Sequence, residues 1–202
     1  MKIGIFGGSF NPPHNMHKDI VLELLKQDYL DKIICIPTGD NYAKSCLLPI
    51  KDRIEMLKLM FKGNEKVNIS AIELDGSLYT WDTMNFYKKK YPEDELFFIC
   101  GMDNLAELST WHRYEDILKN FKLVVIKRDT DEDDAEAALE LYEKYKDRIE
   151  VANVKARKIS STFVRNEILK EGVTEELKDS LDSEVVEYIK NIDYGKYWNA
   201  IK

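Results

Sequence analysis

The stretch Gly4-Ile-Phe-Gly-Gly-Ser-Phe-Asn-Pro-Pro-His-Asn-Met-His17 follows a short apolar start and leads into the amphipathic run Ile20–Leu25. The apolar run Met1–Phe6 has the length of one buried strand, and the amphipathic run predicts a helix. Glycines between the two let backbone N–H groups approach an anion closely, and the following helix N-terminus adds partial positive charge. The pattern therefore predicts a phosphate-handling loop between a strand and a helix.

Two histidines lie at the end of this loop. His14 and His17 are three residues apart, so they share one side of the helix if Asn15 is its N-cap. Two histidines near a helix start are often only surface residues, but the glycines and prolines around this pair favour a functional role. The glycines do not follow the G-x-G-x-x-G pattern, which removes the main support for a dehydrogenase.

Composition limits the class of protein. A chain of 202 residues with 44% hydrophobic residues is long enough for one α/β domain, alone or with a small C-terminal extension. The net charge of −7 argues against a nucleic-acid partner but allows a small anionic ligand. The three cysteines show no metal-binding spacing. For a metal ion that accompanies the ligand we expect few or no ligands from the protein. We found no signal peptide and no membrane-spanning run, so we expect a soluble, cytoplasmic protein without a membrane partner.

Apolar runs alternate with amphipathic stretches along the chain. Six runs predict strands, at Lys2–Phe6, Lys32–Ile36, Val67–Ser70, Leu96–Cys100, Leu123–Lys127 and Glu150–Val154. Seven stretches predict helices, near His17–Gln27, Lys51–Lys62, Trp81–Tyr91, Tyr114–Asn120, Asp134–Lys146, Ser161–Lys170 and Ser183–Asn191. This order predicts an α/β fold: a Rossmann-like, doubly wound parallel sheet, with a small helical C-terminal part at about 159–202.

Unusual residues follow the strands. Besides the first loop, the segments after the second, fourth and sixth strands are rich in Gly, Asp, Lys, Ser or Thr, at 37–44, 101–111 and 155–165. Ligands of open α/β sheets bind outside the carboxyl ends of the strands, so we expect these loops to form one site.

The stretch Ile159-Ser-Ser-Thr-Phe-Val-Arg165 is the second candidate for phosphate binding. Its hydroxyl groups can cap a helix start, and its free N–H groups can bind an anion. Arg165 lies four residues beyond Ser161 and can grip a phosphate with two hydrogen bonds at the same helix end. Hydroxyl-rich helix starts are common, so this stretch is weak evidence by itself.

Together the two stretches resemble a known family. Gly7–His17 resembles the nucleotidyltransferase signature in which two histidines flank any residue and a glycine, and Ile159–Arg165 resembles the second motif of that superfamily. Within it, the chain is similar to the bacterial nicotinate-nucleotide adenylyltransferase family over nearly its whole length. Met16 departs from the signature, because the family has glycine before the second histidine. The resemblance implies a single nucleotidyltransferase domain, 1–202.

The resemblance also implies roles for individual residues. The catalytic residues are His14, His17 and Arg165. The ATP-binding residues are Gly7, Gly8, Ser9, Phe10, Gly101, Asp103, Ile159, Ser160, Ser161 and Thr162. The acceptor-binding residues are Lys44, Tyr79, Thr80 and Trp111, with Trp111 stacking on the pyridine ring. For Lys44 the resemblance is loose, and a solvated loop lysine fits the sequence almost as well.

The implied reaction is adenylyl transfer from ATP to nicotinate mononucleotide, which yields nicotinate adenine dinucleotide and pyrophosphate. Mg²⁺ is expected to accompany ATP and to bridge its phosphate oxygens. Two alternatives stay open: the same chemistry on nicotinamide mononucleotide or phosphopantetheine, and a nucleotide-binding protein whose catalysis is impaired by Met16. Nothing in the sequence indicates an oligomeric state.

Overall fold

The structure is a computed structural model, and it describes residues 1–41, 46–76, 78–127 and 132–198. The strands in these ranges are β1 (Lys2–Gly8), β2 (Lys32–Pro37), β3 (Val67–Ile69), β4 (Glu95–Gly101), β5 (Lys122–Lys127) and β6 (Ile149–Asn153). The α-helices are α1 (Asn15–Lys26), α2 (Ile50–Met60), α3 (Thr80–Lys90), α4 (Met102–Glu107), α5 (Tyr114–Asn120), α6 (Glu132–Lys144), α7 (Ser161–Glu171), α8 (Ser183–Lys190) and α9 (Gly195–Trp198).

The strands form one sheet in the order β3-β2-β1-β4-β5-β6. The pairs β1–β4, β4–β5 and β5–β6 are parallel. Because the order runs outward from β1 in both directions, the sheet is doubly wound and Rossmann-like. The α/β fold and the helical C-terminal part predicted from the sequence are confirmed. The short helices α4 and α9 were not predicted, since neither is long enough to show a helical period.

The chain divides into two compact, interleaved units. The first unit comprises Met1–Gly7, Ile20–Ile34 and Leu78–Lys155. Its strands β4 and β5 are buried along almost their whole length, which accounts for their continuous apolar sequences. A Cβ atom at Gly4 would lie 2.5 Å from Leu30 Cδ1 and 2.7 Å from Ile99 Cδ1, so a larger residue would force these two side chains to move.

The second unit comprises Gly8–Asp19, Cys35–Ser77 and Ala156–Lys202. Helices α2 and α8 pack against each other in this unit. The Tyr188 hydroxyl on α8 donates to Asp52 Oδ1 on α2 at 2.9 Å, and Asp182 caps α8 by accepting from the Glu184 N–H. The single domain expected from the sequence stays a prediction. In the described ranges, every helix is too short or too polar to cross a lipid bilayer.

Candidate active site

The loop between β1 and α1 has an unusual backbone. Phe10 adopts a positive φ of 45°, which non-glycine residues rarely do, and the Asn11–Pro12 peptide bond is cis. The Phe10 ring is buried and folds back over Gly8, where an added Cβ atom would lie 3.2 Å from the ring. Glycine at position 8 therefore allows the ring to pack against the loop's own backbone.

Helix α1 begins at Asn15 itself, so the prediction that Asn15 is the N-cap is wrong. The His14 carbonyl accepts from the backbone N–H groups of His17 and Lys18 and stands in the capping position. The Asn15 side chain instead donates to the Asp179 carbonyl at 3.0 Å, and its N–H donates to the Ser180 carbonyl at 2.8 Å. The C-terminal segment thus fixes the start of the helix.

The two histidines are brought together as the sequence predicts. Their rings stack with a centroid distance of 3.8 Å and an interplanar angle of 25°. The Phe10 ring packs edge-on against His17, with a centroid distance of 4.9 Å. His14 is only 2% exposed, whereas His17 is half-buried. The pair lies at the start of α1.

Both imidazoles are neutral at physiological pH. Burial lowers the pKa of His14 to about 4. Burial also lowers the pKa of His17 well below its ordinary value, and the neighbouring His14 lowers it further. The backbone N–H of His14 donates to His17 Nδ1 at 3.1 Å, so the proton of neutral His17 is on Nε2. His17 can therefore donate a hydrogen bond to an anion without carrying charge.

Helix α7 begins against this loop. Ser160 is its N-cap and accepts from the Phe163 N–H at 3.1 Å, as the hydroxyl-rich sequence predicts. The Ser161 hydroxyl donates to the Pro12 carbonyl at 3.0 Å. Thr162 is exposed, and Ile159 just before the helix is half-buried. The start of α7 thus contacts residues 9–14 between β1 and α1, called the histidine loop below, within the second unit.

Arg165 connects the two stretches directly. Its Nη1 donates to the Asn11 carbonyl at 2.9 Å, and its Nη2 donates to Thr162 Oγ1 at 3.1 Å. Burial lowers the pKa of the guanidinium, and the nearby Cys46 opposes that effect. Arg165 Nε and His14 Nδ1 are buried and have no hydrogen-bond partner within the part of the chain that the structure describes. The structure therefore places the predicted arginine beside the predicted histidine loop.

Asn11 is a residue of this region that sequence reasoning missed. Its side chain donates to the Cys46 carbonyl at 2.8 Å and accepts from the Leu48 N–H at 3.0 Å. The indole N–H of Trp198 lies 3.4 Å from the same amide oxygen. Since Asn11 also binds Arg165 through its carbonyl, one buried residue links the loop to three other segments. A polar residue between an aromatic residue and two prolines was the available signal.

Arg157 was also missed, although it lies in the basic run after β6. Its guanidinium makes two hydrogen bonds to the Asp19 carboxylate, each 2.9 Å long, and a third to the Asp179 carbonyl. Burial alone would raise the pKa of Asp19, but the bonds to Arg157 outweigh it and lower that pKa, and the same bonds raise the pKa of Arg157. Lys18 forms a similar ion pair with Asp182. These contacts fix the two residues that follow His17.

Three of the four predicted acceptor residues, Tyr79, Thr80 and Trp111, lie in the first unit. Trp111 is half-buried and its ring packs edge-on against Phe98, with a centroid distance of 5.7 Å. Tyr79 is 64% exposed and its ring lies 4.6 Å from that of His112, a neighbour that the sequence analysis did not single out. Thr80 is the first residue of α3. The exposed rings of Tyr79 and His112 are a surface on which a flat ring can stack.

The remaining predicted residues divide between the two units. Gly7, Gly101 and Asp103 belong to the first unit; Gly101 ends β4, and Asp103 is exposed in α4. Gly8 and Ser9 belong to the second unit. Met16 is the second residue of α1 and is half-buried. Lys44 lies outside the described residues.

Comparison with known proteins identifies the family. Residues 5–167, which include both histidines and Arg165, match the cytidylyltransferase-like family. A protein of Lachnoclostridium phytofermentans named "Probable nicotinate-nucleotide adenylyltransferase" is 35% identical over 97% of this chain and 98% of its own length. The Bacillus subtilis protein named "Nicotinate-nucleotide adenylyltransferase" is 37% identical over 63% of this chain and 69% of its own.

A solved structure shares the fold. The nicotinic acid mononucleotide adenylyltransferase of Plasmodium falciparum, in complex with NaAD, superposes with a TM-score of 0.78 over 97% of each chain. Its sequence is only 19% identical, so this likeness concerns the fold. The match over residues 5–167 and the relative that is similar over nearly its full length establish that this chain belongs to the nicotinate-nucleotide adenylyltransferase family of cytidylyltransferase-like proteins.

Proposed function

We propose that this protein is a nucleotidyltransferase that transfers the adenylyl group of ATP to nicotinate mononucleotide in NAD biosynthesis. The observation that carries the proposal is the 2.9 Å hydrogen bond from Arg165 to the Asn11 carbonyl, three residues before His14. It brings a guanidinium and two imidazoles to one loop, a combination that suits a polyphosphate. The names of the two relatives described above support the choice of acceptor.

The chemistry requires positioning more than acid–base catalysis. A phosphate oxygen of nicotinate mononucleotide attacks the α-phosphorus of ATP, the bond from that phosphorus to the β-phosphate oxygen breaks, and pyrophosphate leaves. The attacking oxygen is already ionised, so no general base is needed. Donors aimed at the phosphate oxygens stabilise the charge that develops in the transition state.

The residues of the second unit have properties that suit this task. We assign the Nε2–H of His17 as a donor to the phosphates of ATP, with His14 stacked beside it. Arg165 and the hydroxyl and N–H groups of Ser160–Thr162 hold the departing pyrophosphate, at a helix start that favours anions. Backbone N–H groups of Gly7–Phe10 approach the phosphates, with Ile159 beside them.

We assign the remaining family positions in the same way. Trp111 stacks on the pyridine ring, and the backbone near Thr80 and the side chains of Tyr79 and Lys44 help to hold the acceptor. Gly101 and Asp103 contribute to binding of the ATP ribose. The half-buried Trp111 and the exposed Tyr79 ring support these roles.

ATP enters together with Mg²⁺ in this proposal. Among the described residues no group of three or more His, Cys, Asp or Glu side chains is placed to hold a metal ion. The side chains assigned to the phosphates, His14, His17 and Arg165, do not suit Mg²⁺, whereas phosphate oxygens do. The ion therefore belongs to the substrate, MgATP. The three free thiols, Cys35, Cys46 and Cys100, support a cytoplasmic location.

The test is a pyrophosphate-release assay with MgATP and one acceptor at a time. We expect rapid turnover with nicotinate mononucleotide and slower turnover with nicotinamide mononucleotide and phosphopantetheine. Preferred use of either of the latter two would contradict the assigned acceptor. No release with any of the three, with ATP still bound, would contradict an active enzyme.

A further inference from the structure

Arg53 is a charged residue on the buried face of α2. Its side chain is 0% exposed, and Ile50, Ile54 and Leu57 lie on the same stripe of the helix and are buried. A charge in such a place is costly unless it is paired and its donors are satisfied. Burial lowers the pKa of the guanidinium, while its hydrogen bond to Asp40 acts in the opposite direction. Arg53 therefore needs a structural explanation.

The guanidinium contacts three separate segments of the second unit. Its Nε donates to the Leu48 carbonyl at 2.7 Å, its Nη1 to the Ser9 carbonyl at 2.9 Å, and its Nη2 to Asp40 Oδ1 at 2.9 Å. The same Asp40 oxygen accepts from the Ile50 N–H at the start of α2, at 2.8 Å. The side chain thus joins the histidine loop, the segment after β2 and the start of α2.

The contact with Ser9 fixes the direction of a peptide group. In a trans peptide the C=O and the next N–H point in opposite directions, so a carbonyl held by Arg53 turns the Phe10 N–H away from Arg53. The preceding carbonyl, that of Gly8, is held in the same manner by the Thr38 N–H at 3.0 Å. The N–H groups of Ser9 and Phe10 are therefore oriented by the hydrogen bonds made to the carbonyl groups of the same two peptides.

The backbone at this point needs such support. Phe10 has a positive φ, which costs energy for a residue with a side chain. Arg53 holds the carbonyl of Ser9 on one side of Phe10, and Arg165 holds the carbonyl of Asn11 on the other. Two arginines from two helices therefore brace the same strained residue from both sides.

We propose that Arg53 is a positioning residue for adenylyl transfer, which holds the Ser9 carbonyl so that the Phe10 N–H faces the phosphates of ATP. This inference rests on the function proposed above. Arg53 acts through the backbone and does not touch the nucleotide. Its loss is therefore expected to affect the use of ATP and to leave binding of the mononucleotide acceptor unchanged.

The test compares three variants with the wild type. Arg53→Lys keeps the charge but cannot make all three hydrogen bonds. Asp40→Asn keeps the acceptor oxygen for Ile50 and Arg53 but removes the counter-charge. Tyr188→Phe is the matched control. It removes the hydrogen bond from Tyr188 on α8 to Asp52, the residue before Arg53 on α2, and this bond does not involve the loop. We would measure Tm, the KM of each substrate, kcat, and the Kd of a non-hydrolysable ATP analogue.

For Arg53→Lys we expect kcat/KM for ATP to fall roughly 10- to 100-fold, the size expected from small misplacement of a binding group. The KM for the acceptor should stay constant. For Asp40→Asn, kcat/KM for ATP should also fall, by a smaller factor. This variant tests the proposal if Arg53→Lys does not fold. Tyr188→Phe should lower Tm and leave kcat and both KM values unchanged.

The inference is overturned if the folded Arg53→Lys or Asp40→Asn proteins show a lower Tm with wild-type kinetics and wild-type analogue affinity. A wild-type protein that binds the analogue but makes no product with any acceptor would refute the proposed function instead. In that case the affinity of Arg53→Lys for the analogue still decides the role of Arg53.

Discussion

The backbone N–H of His14 donates to Nδ1 of His17 over 3.1 Å, while the two imidazole rings stack at 3.8 Å. One hydrogen bond thereby assigns the proton of neutral His17 to Nε2. Burial lowers the pKa of both rings, and the nearby His14 lowers that of His17 further, so the pair is neutral at physiological pH. The site therefore offers hydrogen-bond donors to phosphate without becoming strongly cationic.

The buried histidines make the stability of the protein depend on pH. Since the pKa of His14 is lowered to about 4, the unfolded chain binds more protons than the folded protein between about pH 4 and 6.5. The free energy of unfolding should therefore fall as the pH drops through this window, by on the order of 3 kcal/mol from His14. Urea denaturation at about pH 4 and at pH 7 measures it. The His14→Gln variant should show a smaller loss between the two pH values, and an equal loss would contradict the assignment.

Replacing His17 by alanine should lower kcat about 100-fold or more, because one donor to the developing charge is lost. Steady-state kinetics with MgATP and nicotinate mononucleotide measure this change. His17→Asn is the control, since its amide can still donate, and it should retain more activity than His17→Ala. If alanine leaves kcat unchanged, His17 has no part in the mechanism.

Replacing Trp111 by alanine should raise the KM for the acceptor roughly tenfold, which corresponds to the loss of one stacking contact. The KM for ATP should not change. Trp111 also packs against Phe98, so Tm has to be measured alongside. A raised KM for ATP with an unchanged KM for the mononucleotide would show that the acceptor assignment is wrong.

Met16→Gly restores the glycine of the family signature. Because Met16 is in the first turn of α1, the substitution should cost about 1 kcal/mol of stability. Activity should stay the same or rise, since the flexible methionine only occupies space beside the histidines. The measured Tm should thus fall while the turnover rate stays the same or rises. A large fall in turnover at a temperature where the variant is folded would mean that Met16 contributes to the site.

Thr38→Val should keep or raise Tm. The Thr38 hydroxyl is buried and has no hydrogen-bond partner among the residues that the structure describes. Replacing an unsatisfied polar group by an apolar group of the same shape is neutral or stabilising. Thr38→Ser, which keeps the hydroxyl and removes a methyl group, is the comparison and should be less stable. A marked loss of Tm in Thr38→Val would show that the hydroxyl is paired.

The sheet was predictable from the sequence because its strands are continuous apolar runs bounded by turn residues, as in β4 and β5. The helix α4 was not, since its six residues complete fewer than two turns. The start of α1 was misplaced because Asn15 is engaged by Asp179 and Ser180, which lie far away in the sequence.

The candidate site, too, was only partly predictable from the sequence. The two motifs were recognisable, and the structure places Arg165 next to the loop of His14 and His17. Arg53 and Asn11 were overlooked because their importance lies in contacts with distant segments, which no local period encodes. Arg53 did leave a signal: a cation on the apolar stripe of an amphipathic helix calls for buried partners.

A crystal structure with a non-hydrolysable ATP analogue tests the central claim most directly. The account predicts that His17 Nε2 and the Arg165 guanidinium both lie within hydrogen-bonding distance of the same triphosphate. A triphosphate bound away from either residue would contradict it.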